Sequence, residues 1–268
     1  EQATPDLLLP AIKKHQASIV FTSPTAYRFL LSEVKDGDLS SVRTCVSAGE
    51  TLPKPTWDSW KEKTGLEILD GIGSTELLHI FMSSRADDIR PGATGKPLAG
   101  YEAKVVDDEG NEVAPGITGK LAVKGPTGCR YLADERQKKY VQNGWNLTGD
   151  AYQMDEDGYF WFKARTDDMI ISSGYNIAGP EVETALLAHQ AVVECAVVGV
   201  PDVQRGSLVK AFVVLQQGIS GDVKLVKELQ DFVKNSIAPY KYPRALDFVA
   251  ALPKTETGKI QRFKLREG

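Results

Sequence analysis

The strongest constraint on the fold is the alternation of helical and strand patterns over residues 5–64. Apolar residues recur at helical spacing in some segments, and short apolar runs separate them. Helices are expected at 5–15, 24–31 and 57–64, and strands at 18–22 and 42–47. This alternation, with glycines at the turns, predicts part of a doubly wound α/β sheet.

Two further patterns follow along the chain. Between about 92 and 162, glycines become frequent and strands short, which predicts an antiparallel β subdomain. From 167 onwards, apolar strands and amphipathic helices predict a compact α+β module. The predicted domains are therefore 1–166, which contains the β subdomain, and 167–268.

The composition argues against some classes of function. The net charge of −4 gives no support for a general nucleic-acid or membrane-surface partner, so phosphate binding must come from local groups. No run of about 18 apolar residues occurs, so no membrane span is expected. Cys45, Cys129 and Cys195 lack metal-ligand spacing and are interpreted as reduced thiols of a cytoplasmic protein.

The segment 70–76, Asp-Gly-Ile-Gly-Ser-Thr-Glu, is the first candidate site. Its glycines let the backbone approach a ligand closely. The hydroxyls could hold a phosphate, and the Glu76 carboxylate could hold Mg²⁺, which prefers oxygen ligands. Alone, the pattern is more often that of a capped helix start.

Four other segments combine polar groups with turns. The segment 47–53 could be a strand end with a helix cap. Asp150, after Thr-Gly at a strand end, could accept hydrogen bonds from a ribose diol or cap a turn. The segment 163–175 could be a solvated linker or a hinge, and Lys259 could sit on the tip of a surface hairpin.

In this order and spacing, the five segments resemble the adenylate-forming superfamily of acyl-CoA synthetases, adenylation domains and beetle luciferases. The resemblance covers essentially the whole chain. Residues 70–81 are most similar to benzoate- and aminobenzoate-CoA ligases, and 173–244 are also similar to medium-chain acyl-CoA synthetases. The implied fold is the C-terminal part of the large domain, with an α/β layer and a β subdomain, followed by a small mobile α+β domain.

One departure from the family concerns its phosphate loop. This Ser/Thr/Gly-rich loop ends in Pro-Lys and grips the β- and γ-phosphates of ATP. It lies upstream of these motifs in the family and is not in this sequence. We therefore expect a truncated product whose partner is the N-terminal half of the same protein, and which does not complete adenylation alone.

The resemblance implies a role for each matching residue of the nucleotide site. Thr75 contacts the α-phosphate, and Glu76 holds Mg²⁺. Asp150 binds the ribose hydroxyls, assisted by Arg165. Lys259 reaches the substrate carboxylate and the α-phosphate, where negative charge develops. The residues implied to line the adenine site are Gly49, Glu50, Thr51, Asp70 and Gly71.

The resemblance also implies an acyl pocket and a CoA channel. Gly73 replaces a bulky Trp of acetate-activating relatives and leaves room for a ring or a longer chain. His79 shares a face with Thr75 and Glu76 if that segment is helical, and could orient the acid or be a helix histidine satisfied by the backbone. The remaining implied residues are Gly95 and Lys96 in the pocket, Asp167 as the hinge, and Ser173, Gly174 and Tyr175 at the channel.

The predicted function is that of an acid–thiol ligase using ATP, Mg²⁺ and coenzyme A. A carboxylic acid, of benzoate type, attacks the α-phosphate of ATP to give acyl-AMP, and the CoA thiol then displaces AMP. Two alternatives stay open: an adenylation enzyme that loads a carrier protein, and a non-catalytic nucleotide-binding fragment. A homodimer is also left open.

Overall fold

The computed structural model describes residues 4–255 and 259–266. The chain divides into two compact units between Phe162 and Lys163. The sequence placed this boundary between Thr166 and Asp167. The helices are α1 Pro5–His15, α2 Pro24–Glu33, α3 Lys54–Thr64, α4 Arg136–Tyr140, α5 Gly179–Leu187, α6 Val223–Ser236 and α7 Arg262–Arg266.

The first unit begins with a five-stranded sheet in the order β1-β2-β3-β4-β5. Its first three strands are parallel, and the last two are added antiparallel. The strands are β1 Ile19–Thr22, β2 Thr44–Ser47, β3 Ile68–Gly73, β4 Ile80–Ser83 and β5 Lys96–Pro97. The α/β expectation is confirmed, because each parallel strand alternates with a helix.

The core of this layer is built from the apolar faces of the first helices. The buried Tyr27 ring meets Trp60 edge-on, with ring centroids 4.8 Å apart. The Tyr27 hydroxyl lies 2.9 Å from the carbonyl of Val20 and 3.0 Å from that of Val46, so it ties α2 to β1 and β2. Burial raises the pKa of the Cys45 thiol beside them to about 11, which is consistent with a thiol that serves as packing.

The rest of the first unit is the predicted antiparallel β subdomain. Four strands lie in the order β10-β9-β7-β6, and β8 pairs with β9. The strands are β6 Glu102–Val106, β7 Thr118–Lys124, β8 Val141–Gln142, β9 Trp145–Met154 and β10 Phe160–Arg165, and the boundary between the units falls within β10. Leu77, Phe81 and Met82 from the α/β layer are buried in the same cluster as Leu121 and Tyr152, so the two layers share a core.

The second unit is α+β, as expected. A hairpin of β11 Ile170–Ser172 and β12 Tyr175–Ile177 precedes a sheet in the order β13-β14-β15. The strands of that sheet are β13 Val192–Asp202, β14 Gly206–Leu215 and β15 Ala245–Phe248. Helices α5 and α6 cover one face of this sheet, with Val182, Leu186, Leu229 and Val233 buried there. In the described ranges, no helix is long and apolar enough to cross a membrane.

Two expectations about local structure are wrong. The segment after Gly73 is not helical, because residues 74–79 form a turn between β3 and β4. His79 therefore precedes β4 and does not share a helix face with Thr75 and Glu76. Asp150 does not end a strand but lies in the middle of β9, where the register with β7 shifts. A strand pattern does not reveal such an irregularity, because it depends on the partner strand.

Gly73 marks the closest approach of β3 to β4. A Cβ atom there would collide with the backbone carbonyl of His79, and β3 and β4 shift register at this point. The backbone of β4 cannot retreat without moving Phe81, which is fully buried. A glycine at this position is therefore required by the fold, independently of any pocket.

We predict that Gly73→Ala lowers the free energy of unfolding of the first unit by about 1–3 kcal/mol, because the added methyl overpacks against backbone. Gly128→Ala is the matched control, since its Cβ would meet only the Asn146 side chain at 3.4 Å. The four tryptophans, Trp57, Trp60, Trp145 and Trp161, all lie in the first unit, so their fluorescence in urea reports it alone. Equal effects of the two substitutions would contradict this account.

Candidate functional site

The turn between β3 and β4 carries two of the predicted nucleotide residues. The Leu77 N–H donates to the Ser74 hydroxyl at 3.2 Å, and the buried Leu77 side chain anchors the turn in the core. Thr75 is exposed, and Glu76 is half-buried. Leu78 has φ of +71° and an exposed side chain, an uncommon conformation for a leucine. The anchored Leu77 thus fixes the turn that carries Thr75 and Glu76.

Two tyrosines that sequence reasoning missed surround Glu76. The Tyr131 hydroxyl donates to Glu76 Oε1 at 2.7 Å, and this hydrogen bond raises the Tyr131 pKa. Burial raises the pKa of Tyr140 to about 12, and the Ser74 side chain partly offsets this rise. The carboxylates of Glu76 and Asp150 add to the rise. Glu76 and Asp150 therefore both lie within electrostatic range of one phenol.

Asp150 is presented by a bulge in β9. Lys120 of β7 pairs with Ala151, and Ala122 pairs with Leu147, so the Thr-Gly-Asp segment is opposed by a single residue of β7. Gly149 has φ of +78°, which glycine adopts without strain, and the Thr148 hydroxyl accepts from the Asp150 N–H at 3.2 Å. Bulges re-aim side chains at functional sites.

Asp70 is a buried carboxyl at the end of the parallel part of the sheet. It is 8% exposed, and Ser47 beside it is fully buried. Burial raises the Asp70 pKa well above its ordinary value, while the Ser47 hydroxyl and the Gly71 N–H lower it. Ser47 Oγ and Asp70 Oδ1 lack a well-aligned hydrogen-bond partner among the described residues.

The pKa of the Tyr152 phenol depends on both Asp70 and Asp150. Its pKa is raised first by burial and then by the Asp150 carboxylate, with a smaller contribution from Asp70. Its hydroxyl lies 3.1 Å from that of Thr94. Asp70 and Glu76 belong to one motif, and Asp150, far from them in the sequence, acts together with Glu76 on the pKa of Tyr140 and together with Asp70 on that of Tyr152. Such a set of carboxylates accepts hydrogen bonds from hydroxyl or amine groups and attracts cations.

The loop after β2 holds the other predicted adenine residues. Gly49 has φ of +91°. Glu50 Oε2 accepts from the Thr25 N–H at 3.3 Å and from the Thr25 hydroxyl at 2.7 Å, at the N-terminus of α2. A carboxylate is favourable there because the first helical N–H groups have no partner within the helix. This oxygen of Glu50 therefore caps α2. The neighbouring Thr51 is half-buried.

The residues predicted for the acyl pocket have contacts of their own. The exposed His79 ring lies 6.0 Å from the ring of Phe21. A Cβ atom at Gly95 would collide with the backbone of Ser83, where the loop crosses β4. The Lys96 ammonium lies 3.3 Å from Asp88 and 4.1 Å from the centre of the Tyr159 ring. Their membership of a pocket stays a prediction.

In the second unit, the predicted channel residues form a two-residue hairpin. Ser173 has φ of +51° and Gly174 of +81°, the signs of a type I′ turn between β11 and β12. The Arg205 guanidinium donates to the Ser173 hydroxyl at 3.0 Å. The Tyr175 ring stacks on Tyr240 at 4.5 Å. A Cβ atom at Gly174 would meet nothing within 4 Å, so this glycine is required by backbone conformation and not by packing.

The predicted hinge and lysine also lie in the second unit. Asp167 and Arg165 are exposed, with Arg165 Nε 3.7 Å from Asp167 Oδ1. Lys259 is exposed on a hairpin whose base is closed by the Thr255 N–H, which donates to the Lys259 carbonyl at 2.8 Å. Residues 256–258, the Glu-Thr-Gly before Lys259, lie outside the described residues.

The side chains around Glu76 determine whether the expected Mg²⁺ could bind there. No group of three or more His, Cys, Asp or Glu side chains in the described parts of the chain could hold a metal ion. Mg²⁺ commonly takes one or two carboxylates and completes its shell with waters and substrate phosphates. A half-buried carboxylate beside a phosphate-contact candidate fits that mode, in which the nucleotide supplies the other ligands.

Asp70 allows a test of the site's electrostatics. Because its folded-state pKa is raised, Asp70 contributes stability that is full below the unfolded pKa of about 3.9 and is lost as pH rises through the folded pKa. We predict that wild-type stability, relative to Asp70→Asn, falls steadily as pH rises above 4. Urea unfolding followed by tryptophan fluorescence measures it.

Asp107→Asn is the control with the opposite sign. Hydrogen bonds from Asn111 lower the Asp107 pKa, so its contribution is present at neutral pH and is lost as pH falls. A pH-independent difference between wild type and Asp70→Asn would contradict the assignment of Asp70 as a desolvated carboxyl.

Comparison with known proteins places these residues in a family. The family model of AMP-binding enzymes matches residues 1–131, and that of the AMP-binding enzyme C-terminal domain matches residues 181–259. Benzoate–CoA ligase of Thauera aromatica is 43% identical over 272 residues, which cover 99% of this chain and 51% of that protein. The chain thus spans about half the length of the curated relatives it matches.

Solved structures give the same result. The anthranilate CoA ligase AuaEII in complex with anthranoyl-AMP superposes with a TM-score of 0.92 at 45% identity, over 98% of this chain and 52% of that one. A benzoate CoA ligase from Burkholderia xenovorans LB400 superposes with a TM-score of 0.90 at 40% identity, over 99% and 54%. The predicted fold class is confirmed, and the chain belongs to the AMP-binding, adenylate-forming enzyme family.

Proposed function

We propose that the complete protein containing this chain activates a benzoate-type carboxylic acid with ATP and transfers the acyl group to CoA. The observation that carries this proposal is the β3–β4 turn, in which Glu76 accepts a hydrogen bond from Tyr131 at 2.7 Å, together with Asp150 at the bulge in β9. It occurs in a chain 45% identical to an anthranilate CoA ligase. In this proposal, the first unit of the chain contributes the motif residues of the large domain, and the second unit contributes the small domain.

The nucleotide is held by the first unit in this proposal. Asp150 accepts hydrogen bonds from both ribose hydroxyls. The bulge in β9 supports this role, because a bulge can re-aim a side chain towards a ligand. Thr75 donates its hydroxyl to the α-phosphate. Glu76 holds Mg²⁺, which supplies charge neutralisation at the phosphates when bound. The adenine lies between the loop of Gly49 to Thr51 and the backbone of Asp70 and Gly71.

The small domain supplies the lysine. Lys259 is exposed at the end of a closed hairpin, so its ammonium is available to a partner surface. It binds the substrate carboxylate and the α-phosphate together and stabilises the negative charge of the transition state. Asp167 is the hinge for domain alternation, and Arg165 assists at the ribose. The Ser173-Gly174-Tyr175 hairpin then guides the pantetheine thiol.

An aromatic acid is proposed from the similarity to an anthranilate CoA ligase and a benzoate CoA ligase. In this proposal His79, whose ring lies 6.0 Å from that of Phe21, and Gly73, which adds no side chain, line the acyl pocket. Gly95 and Lys96 complete the pocket in this proposal. A medium-chain acid is the alternative substrate. A carrier protein in place of CoA is the alternative acceptor, and a homodimer and a cytoplasmic location are further proposals.

The proposal is tested by pyrophosphate release from ATP and Mg²⁺ with a panel of benzoates and C2–C10 acids, with and without CoA. The expected result is a response to one aromatic acid that rises with CoA and yields a thioester. Release independent of CoA would favour carrier-protein loading. No release with any acid would contradict the enzymatic proposal and favour a nucleotide-binding role.

We predict that Lys259→Ala lowers the rate of acyl-AMP formation by at least about a hundred-fold, since one donor to a developing charge is lost. Thioester formation from preformed acyl-AMP is expected to stay near the wild-type rate. Lys264→Ala, which removes another exposed lysine nearby, is the control. An equal loss in both half-reactions would reject the assigned role.

We predict the reverse for Gly174→Leu, which slows the thioester step and spares acyl-AMP formation. The control is Gly218→Leu, because Gly218 has φ of +87° and equally open surroundings. Both variants carry the strain of a leucine at positive φ. A slowed thioester step in the Gly218 variant as well would attribute the effect to strain and remove Gly174 from the channel.

A further inference from the structure

We infer that two ion pairs, Lys254–Glu194 and Arg262–Glu183, position the hairpin that presents Lys259. The inference rests on the proposed function, because Lys259 is its adenylation lysine. All four side chains lie in the second unit. One pair holds the strand that enters the hairpin, and the other holds the residue that follows it. The two glutamates are positioning residues and touch no substrate.

The base of the hairpin is defined by backbone hydrogen bonds. Lys254 and Ile260 form a β-bridge, and the Gln261 N–H donates to the Pro253 carbonyl at 2.8 Å. The Lys259 N–H donates to the Thr255 hydroxyl at 3.1 Å. These bonds fix the hairpin internally, but they do not fix it relative to the sheet of the second unit.

The entering strand is fixed to the sheet by Glu194. Its carboxylate lies 2.9 Å from the Lys254 ammonium, and the two side chains are 6% and 20% exposed. Glu194 belongs to β13, whose pairing with β14 is the longest ladder of the second unit. Lys254 is thereby occupied by a structural partner, while Lys259, five residues later, is exposed.

The residue after the hairpin is fixed by Glu183. Arg262 Nη2 donates to Glu183 Oε2 at 2.8 Å and Arg262 Nε donates to Glu183 Oε1 at 3.3 Å, a forked pair of hydrogen bonds. Glu183 Oε1 also accepts from the Val197 N–H at 2.8 Å. One buried carboxylate of α5 therefore holds both β13 and the start of α7.

Apolar contacts complete the support. Leu252 and Leu265 are buried on the sheet against Val198 and Phe212, and Ile260 packs on the same cluster. The hairpin legs thus rest on a packed surface between the two ion pairs. The charged contacts fix the lateral position of the hairpin on the sheet, because apolar contacts are not directional.

Positioning explains why charges occur here at all. A buried ion pair seldom stabilises a fold more than apolar residues of the same volume, because desolvation offsets its attraction. The forked Arg262–Glu183 contact defines an orientation that an apolar pair would not. Displacing a reacting group by about 1 Å can cost about a hundred-fold in rate, so the orientation of this hairpin matters for Lys259.

The test compares Glu194→Gln and Glu183→Gln with wild type in the complete protein. We expect acyl-AMP formation to fall at least about ten-fold in kcat, equivalent to about 1.4 kcal/mol, with thioester formation from preformed acyl-AMP unchanged. Asp247→Asn is the control, since it breaks the Lys210–Asp247 pair on the same sheet away from the hairpin. Equal loss in both half-reactions, or the same loss in the control, would overturn the inference.

The double variant Glu194→Gln/Lys254→Met separates positioning from stability. It leaves neither partner charged, so the stability lost in Glu194→Gln is expected to return. A positioning role predicts that the adenylation rate stays low, because the hairpin has lost its directional contact. Recovery of both stability and rate would overturn the inference.

Amide hydrogen exchange distinguishes failure of this inference from failure of the proposed function. If the wild-type protein forms no acyl-AMP with any acid, the proposed function fails. The anchoring itself is still measured by exchange at Gln261, whose N–H closes the hairpin. Faster exchange at Gln261 in Glu194→Gln, with unchanged exchange along β14, supports the anchor, and unchanged exchange at Gln261 overturns it.

Discussion

The close approach of β3 and β4 at Gly73 is the constraint on which the rest of the first unit depends. At this point, the parallel α/β layer turns into an antiparallel extension that shares its core with the β subdomain. The same approach forces the chain into the turn that carries Thr75 and Glu76. Backbone packing thus sets the location of Thr75 and Glu76, the residues proposed to contact phosphate and Mg²⁺.

The residues proposed for the nucleotide site include three carboxyl groups in different surroundings. Asp70 is buried and holds its proton more tightly than in the unfolded chain, whereas Glu76 accepts a hydrogen bond from Tyr131. Asp150 comes from another sheet and is linked to both through Tyr140 and Tyr152. Burial disfavours the charged form of Asp70, and this lowers its repulsion with the other two carboxylates.

Sequence reasoning found the fold class and the motif residues because residue type and order carry that information. The bulge at Asp150 was not predictable, since it depends on the register between β9 and β7. Tyr131 and Tyr140 lie in a segment with no periodic pattern, so nothing marked them. The Arg262–Glu183 pair joins residues 79 positions apart, and no local pattern reports such a contact.

We propose that the bulge in β9 presents Asp150 to a ribose diol. The affinity of the protein for nucleotides with and without the 2′-hydroxyl tests this proposal. The measurement compares binding of AMP and 2′-deoxy-AMP to the complete protein and to its Asp150→Asn variant. The account predicts that wild type prefers AMP by at least about ten-fold, since a hydrogen bond to a charged group contributes about 1.5–3 kcal/mol, and that the variant loses this preference. Equal affinity of wild type for both nucleotides would contradict the account.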